Sequence, residues 1–192
     1  RMGECNACMH CIVAAPTAGA CGVLPAVLLP YGRRYELSDD ALIKALYVAS
    51  GFGAVIAQRA SISGAEAGCQ AEIGTAAAMA AAALVYLHDG SAVQMANAAA
   101  MALKNMMGLV CDPVAGLVEV PCIKRNAAGA MNALCAAEMA LAGIESRIPP
   151  DEVIDAMAAV GAALPSSLRE TGMGGIAASP TAVKFREEFF GQ

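Results

Sequence analysis

Between Glu72 and Asp89 the chain runs through 16 residues without a formal charge, "IGTAAAMAAAALVYLH". Alanine, the best helix former, dominates the run, so it reads as a strong helix from Glu72 to about His88, ended by Asp89-Gly90. A helix without a polar face belongs in an interior. The run is too short for a typical membrane span, which needs about 20 apolar residues. The stretch from Cys5 to Gly32 is also uncharged, but Pro16, Pro25 and Pro30 interrupt it. Both read as interior segments of a soluble protein, with no membrane partner expected. Hydrophobic residues make up 58% and charged residues 15%, while aromatics are 4% and Trp is absent. Alanine and glycine supply the bulk, which lets backbones approach closely.

The remaining elements follow from caps and stops. Ser38-Asp39-Asp40 is an N-cap with acids in the first turn and opens a helix to about Gln58, in which Gly51 and Gly53 mark close packing. Ser91 caps a helix to about Met107, stopped by Gly108. Further helices are expected from about Ile123 to Leu141, from Pro149-Pro150-Asp151-Glu152 to before Pro165, and over Pro180 to Phe190. Strand signals are scarce: "GLVEVPC" alternates only briefly. The expectation is an all-α fold in one domain, residues 1–192, with four Gly/Pro-rich loops at 15–25, 58–69, 108–122 and 165–182. Loops held by rigid helices are where chemistry concentrates.

A net charge of −5 and a pI near 5 argue against nucleic acid as a partner. No charged-then-apolar leader is apparent, and the chain starts at Arg1 rather than Met, so a fragment or processed chain is expected. Eight cysteines in a low-charge chain of this kind point to buried thiols or a metal site rather than a secreted disulfide scaffold.

Thiolates that ligate metal need positive potential, which a helix N-terminus supplies. Cys69 precedes the helix at Glu72, Cys122 opens the helix after Pro121, and Cys111 lies between Gly108 and the Asp112-Pro113 turn. Cys135 falls inside a helix, where a core role is expected, and Cys21 fits either role. "CNACMHC", residues 5–11, has half of the ferredoxin pattern, C-x2-C-x2-C-x3-C-P, but position 15 is Ala15. The run reads either as small, thiol-bearing residues lining a packed segment or as a ligand group.

The blocks "APTAGACGVLPAVL", "SISGAEAGCQAEIG", "KNMMGLVCDPVAGLVEVPCIKRNAAGA" and "RIPPDEVIDAM…LRETGMGGIA" resemble the α chain, or catalytic domain, of iron–sulfur-dependent L-serine dehydratases, from about residue 6 to residue 184. The resemblance implies a 4Fe–4S cluster on Cys69, Cys111 and Cys122, with one iron open as a Lewis acid for the β-hydroxyl of L-serine. It implies that "CNACMHC" is a decoy or an accessory thiol group. It implies a lyase without pyridoxal phosphate: L-serine loses water to give 2-aminoacrylate, then pyruvate and ammonia, in amino-acid degradation and gluconeogenesis. It implies further upstream residues, a β chain or β domain, a homo- or hetero-oligomer and a cytoplasmic location. The C-terminal cysteine of some single-chain members is absent from "FREEFFGQ". Lys104 is the candidate base. Thr17, Ser61, Ser63, Glu66, Lys124, Arg125 and Asn126 are the candidate substrate-binding residues. A cysteine desulfidase using the same open iron is a related reading. An iron–sulfur redox or electron-transfer protein built on Cys5, Cys8 and Cys11 is the reading from another class.

Overall fold

A computed structural model describes residues 2–191; Arg1 and Gln192 of the expected 1–192 domain lie outside the described residues. Its α-helices run α1 (Met2–Ala7), α2 (Val23–Arg34), α3 (Asp39–Arg59), α4 (Gly64–Ala67), α5 (Thr75–Leu87), α6 (Ala92–Met106), α7 (Cys122–Leu141), α8 (Pro150–Ala163) and α9 (Pro180–Phe190). The fold is all-α. Among the described residues the nearest thing to a strand is one isolated parallel bridge between Cys111 and Arg169.

The uncharged run is the hub. Every residue of α5 from Thr75 to Val85 is buried, and α2, α3, α6 and α7 pack around it. Small residues make this possible. A Cβ on Gly129 of α7 would lie 2.8 Å from Ile73 Cγ2, and one on Gly53 of α3 would lie 2.9 Å from the Met79 sulfur. Gly51 corrects the expectation for its pair: it is exposed, and a Cβ there would meet nothing within 4 Å. Two helical stretches, Asp39–Arg59 and Gln70–Leu87, are long and apolar enough to cross a membrane by length and composition. The second is enclosed by the other helices.

The caps behave as expected. Ser38 Oγ accepts from Ala41 N, and Ser91 with Gln94 forms a reciprocal capping box. Three local expectations are corrected. Residues 23–34, over which Pro25 and Pro30 suggested breaks, form α2. Pro25 is the third residue of the helix, where an N–H would have no intrahelical partner. Pro30 forfeits one interior bond, but Val23, Leu24, Val27 and Leu28 are buried beneath it against α5 and α7. The helix expected from Glu72 begins instead with a wide π-turn at Gln70–Gly74 before α5. Cys135 is exposed rather than core, because α7 buries Ala133, Ala136, Ala137 and Ala140 on its other face.

Candidate metal centre

The wide turn at the head of α5 sets Cys69 and Glu72 on one side of a small basin. Such turns recur at functional sites because they re-aim side chains. Gln70, fully buried, anchors the turn: its Nε2 donates to Ala67 O (2.9 Å) and Met157 O (3.1 Å), and its Oε1 accepts from Gly108 N (2.9 Å). The Gln70 backbone N–H donates to Leu109 O (2.9 Å), which ties the 108–111 segment alongside. Just before Cys69, Gly68 has φ +77 and lies so close to this segment that a Cβ would sit 2.7 Å from Leu109 O. Only glycine takes that conformation in that space.

Cys111 is fixed from the opposite side. Its N–H donates to Leu168 O (2.9 Å), and its C=O accepts from Glu170 N (2.7 Å). Cys122 is the first residue of α7, and its thiol is buried. The Cys69 and Cys111 sulfurs and a Glu72 carboxylate oxygen all lie within 4.8 Å of one another. Cys122 is outside this tight group but close enough for Cys69 and Glu72 to act on its ionisation. Residues 53 positions apart in sequence thus face one basin.

The electrostatics describe a donor set short of positive charge. The Cys111 S–H donates to Cys69, which pulls the Cys69 thiol below its ordinary value against burial and the Glu72 charge, with Arg125 assisting. Cys111 moves the other way, raised by the same hydrogen bond and by burial. Burial, reinforced by Cys69 and Glu72, pushes Cys122 up to about 12. Burial also raises Glu72, opposed by its Thr17 hydrogen bond and helped by Glu170. The guanidinium that acts on Cys69 and Cys122 is that of Arg125. A bound cation would let the three thiols and Glu72 all ionise. Gly64 packs directly against the donors: a Cβ on it would lie 2.7 Å from Glu72 Oε2 and 3.0 Å from Cys111 Sγ. Thiolate-rich donors of this kind fit an iron–sulfur group.

The expected substrate residues divide. Thr17 reaches the basin and donates to Glu72 Oε1 at 2.7 Å. Arg125 reaches it as well, but its Nη1 is already committed to Asp112 Oδ1 (2.7 Å), Val110 O (2.9 Å) and Cys69 Sγ (3.7 Å). Asn126 is a brace. Its Oδ1 accepts from Gly22 N (2.9 Å), and its Nδ2 donates to Gly19 O (2.7 Å) and Cys122 O (2.9 Å), pinning the loop that carries Thr17. Ser61 and Glu66 are hydrogen-bonded to each other, and Ser61 Oγ accepts from Ser63 N (3.0 Å), so these three shape the rim ahead of Cys69. Lys124 is exposed. Lys104 is exposed on α6 and donates to Ser146 Oγ (2.9 Å); no hydrogen bond or ion pair joins it to the cysteines among the described contacts.

Three residues went unselected in the sequence. Glu72 appeared only as a helix-opening acid, and Asp112 only as part of a turn. Arg169 sits opposite Cys111 in the isolated bridge, where paired residues point to the same side. Its Nε is buried without a partner, and its Nη1 is 3.4 Å from Glu66 O. The signal available for Arg169 was its place in "LRETGMGG", an adjacent Arg-Glu pair just before a threonine-glycine turn in one of the four loops.

The comparisons with known proteins bear on this basin. The family model described as "Serine dehydratase alpha chain" matches residues 1–177. The chain is 56% identical over 188 residues to a probable L-serine dehydratase, alpha chain, of Bacillus subtilis (strain 168), covering 98% of this chain and 63% of that protein. It is 55% identical over 189 residues to a probable L-serine dehydratase, alpha chain, of Latilactobacillus sakei, covering 98% and 90%. It is 49% identical over 186 residues to the L-serine dehydratase, alpha chain, of Peptoniphilus asaccharolyticus, covering 97% and 64%. The chain thus spans less than two thirds of the Bacillus and Peptoniphilus relatives. The match runs through all three basin cysteines, and the chain belongs to the serine dehydratase alpha chain family.

Proposed function

We propose that the complete protein is an L-serine ammonia-lyase, working with a β chain or β domain in the cytoplasm, and that Cys69, Cys111 and Cys122 hold a 4Fe–4S cluster. The observation that carries the reading is the convergence of the buried Cys69 and Cys111 sulfurs with Glu72 within 4.8 Å, with the buried Cys122 thiol near enough to feel them. A cluster with three thiolate ligands would leave one iron as a Lewis acid for the substrate hydroxyl, where it would take up the charge of the departing hydroxide.

The chain's own residues supply the rest. Glu72 replaces Lys104 as the candidate base. Thr17 holds Glu72 Oε1, leaving Oε2 on the Gly64 side to take the α-proton of serine. Arg169, with an unpartnered Nε beside Cys111, is the candidate clamp for the serine carboxylate, in place of Arg125. Arg125 instead keeps positive potential at Cys69 and fixes the Asp112 turn. Asn126 and Gln70 hold the two loops in register, so the proton acceptor and the carboxylate site keep a constant separation. Loss of the α-proton and of the β-hydroxide, together one water, gives 2-aminoacrylate, which tautomerises and hydrolyses in solution to pyruvate and ammonia. No step calls for pyridoxal phosphate.

The test is anaerobic pyruvate formation from L-serine by the full-length protein, with any partner chain supplied, against Cys111→Ser. Turnover by the wild type and loss of at least 100-fold in the variant is expected. Equal rates in both, or rates that depend on added pyridoxal phosphate, overturn the reading.

A further inference from the structure

Outside the basin, one constellation of reactive side chains is unused. "CNACMHC" places four soft donors, Cys5, Cys8, His10 and Cys11, within seven residues. Cys8, His10 and Cys11 are exposed and Cys5 is half-buried, and all three cysteines are free thiols. None of the four side chains makes a described hydrogen bond. Short tracts rich in cysteine and histidine are metal-binding in composition.

The backbone adds geometry to composition. α1 ends in a helix-terminating turn in which Met9 N donates to Asn6 O (3.1 Å) and His10 N donates to Cys5 O (2.9 Å). This pair of bonds normally requires glycine at the position Met9 occupies. Met9 nevertheless takes φ 59 and projects into solvent with 92% of its surface exposed. The left-handed conformation costs a non-glycine residue roughly 1 kcal/mol, and Met9 has no buried contact to offset it. Its effect is to reverse the chain, bringing His10 back over Cys5. Cys8 follows the last residue of α1, but its N–H still donates to Glu4 O (2.9 Å), so the helical turn runs on and sets Cys5 and Cys8 on one face, with Cβ atoms about 5–6 Å apart. Cys21 faces Cys5 from the interior, but it is not a competing ligand. Its S–H is directed at Met2 O (3.7 Å), and burial raises its pKa.

We propose that Cys5, Cys8, His10 and Cys11 form a site for one thiophilic divalent cation, of the zinc or ferrous class, separate from the basin on Cys69, Cys111 and Cys122. Three thiolates and one neutral imidazole make a closed four-coordinate set. In the metal-free fold no three of these donors lie within 4.8 Å of one another, because the one such group among the described residues is that of Cys69, Glu72 and Cys111. Binding therefore draws residues 10 and 11, which are outside any helix, onto the Cys5–Cys8 face. Each cysteine releases a proton as it ligates. A closed set leaves no position for substrate, so the site is structural: it fastens the segment at 10–11 to the end of α1, the helix whose Gly3 packs against Ile123, the neighbour of Cys122. The proposal stands or falls independently of the serine reaction.

The probe is Co2+ under anaerobic, reducing conditions. In the Cys69→Ser/Cys111→Ser/Cys122→Ser protein, one equivalent is expected, with a thiolate-to-cobalt charge-transfer band that excess Zn2+ abolishes. Adding Cys5→Ser, Cys8→Ser and Cys11→Ser should remove both the band and the equivalent, while His10→Gln should weaken binding at least tenfold. A second measurement avoids the basin variants. Wild-type protein reconstituted with iron should hold one more thiolate-bound metal per chain than the Cys5→Ser/Cys8→Ser/Cys11→Ser protein of unchanged circular dichroism. Equal metal content in those two proteins, or cobalt uptake that survives loss of Cys5, Cys8 and Cys11, overturns the proposal.

Discussion

Arg125 Nη1 lies 2.7 Å from Asp112 Oδ1, and this pair links the segment of Cys111 to the helix of Cys122. Asp112 follows Cys111 directly, and Arg125 is one turn beyond Cys122. The side chains are 2% and 15% exposed, so water screens the pair little. Asp112 Oδ2 also accepts from Ile176 N (2.7 Å), which draws in the loop that carries Arg169. Removing one member of a buried pair strands the other, at a cost of about 3–5 kcal/mol. Asp112→Ala should lose at least about 3 kcal/mol in urea unfolding. The double variant Asp112→Ala/Arg125→Met should recover more than about 1 kcal/mol of the summed losses. A single-variant loss within about 0.5 kcal/mol of zero, as at an ordinary surface site, refutes the linking role.

Gly64 and Gly51 make a contrast within one chain. Gly64→Ala puts a methyl against Glu72 Oε2 and Cys111 Sγ, in the space the reaction needs. Gly51→Ala puts the same methyl into open space on α3. Alanine favours a helix interior over glycine by about 0.8–1 kcal/mol. Gly51→Ala should therefore raise the melting temperature and leave iron content and turnover unchanged. Gly64→Ala should cut iron content or turnover at least tenfold. Equal effects of the two on iron and rate would show that the basin does not depend on the missing Cβ.

Asn126 closes three hydrogen bonds from a buried position, to Gly22, Gly19 and Cys122. Asn126→Ala leaves the Gly22 N–H and Gly19 C=O without these partners, for an expected loss of about 2–3 kcal/mol. The loop at 15–22 should loosen first, releasing Thr17 from Glu72. Hydrogen exchange reports this directly. The Gly22 amide should exchange at least tenfold faster in the variant and open by local loosening, while amides in the middle of α5 speed up only by the global loss of stability. Unchanged protection at Gly22 would mean that the loop is held by something else.

Much of this arrangement was legible before any coordinates. The uncharged run at 73–88 required a buried central helix, and the caps at Ser38 and Ser91 set helix starts within a residue of those observed. The helix-end argument favoured Cys69, Cys111 and Cys122, of which Cys69 and Cys111 meet within 4.8 Å together with Glu72. What stayed hidden was long-range. Glu72 reads locally as a first-turn acid, and only the π-turn rotates it into the basin with Thr17, 55 positions away. Arg125 looked free because its partner Asp112 is 13 positions back across a loop. Cys135 looked buried because a helix made largely of small residues does not show from periodicity which of its faces is covered. Proline at 25 and 30 misled for a related reason: it weakens a helix locally, and the packing that repays the loss is tertiary.

Arg169 carries the last prediction. It is held by the bridge to Cys111, and its Nε is buried without a partner, a position that a carboxylate would complete. A hydrogen bond to a charged group contributes about 1.5–3 kcal/mol, and each 1.4 kcal/mol is tenfold in affinity. If Arg169 grips the carboxylate equally in the ground and transition states, its loss raises KM and spares kcat. Arg169→Leu should thus raise the KM for L-serine by roughly 10- to 100-fold with kcat changed less than about threefold. Glu72→Gln should do the reverse, lowering kcat by at least about 100-fold, as loss of a proton acceptor does, with little change in KM. Arg169→Lys keeps the charge but not the planar fork and should fall between Arg169→Leu and the wild type. A kcat loss in Arg169→Leu as large as that in Glu72→Gln would assign Arg169 to the chemistry rather than to binding.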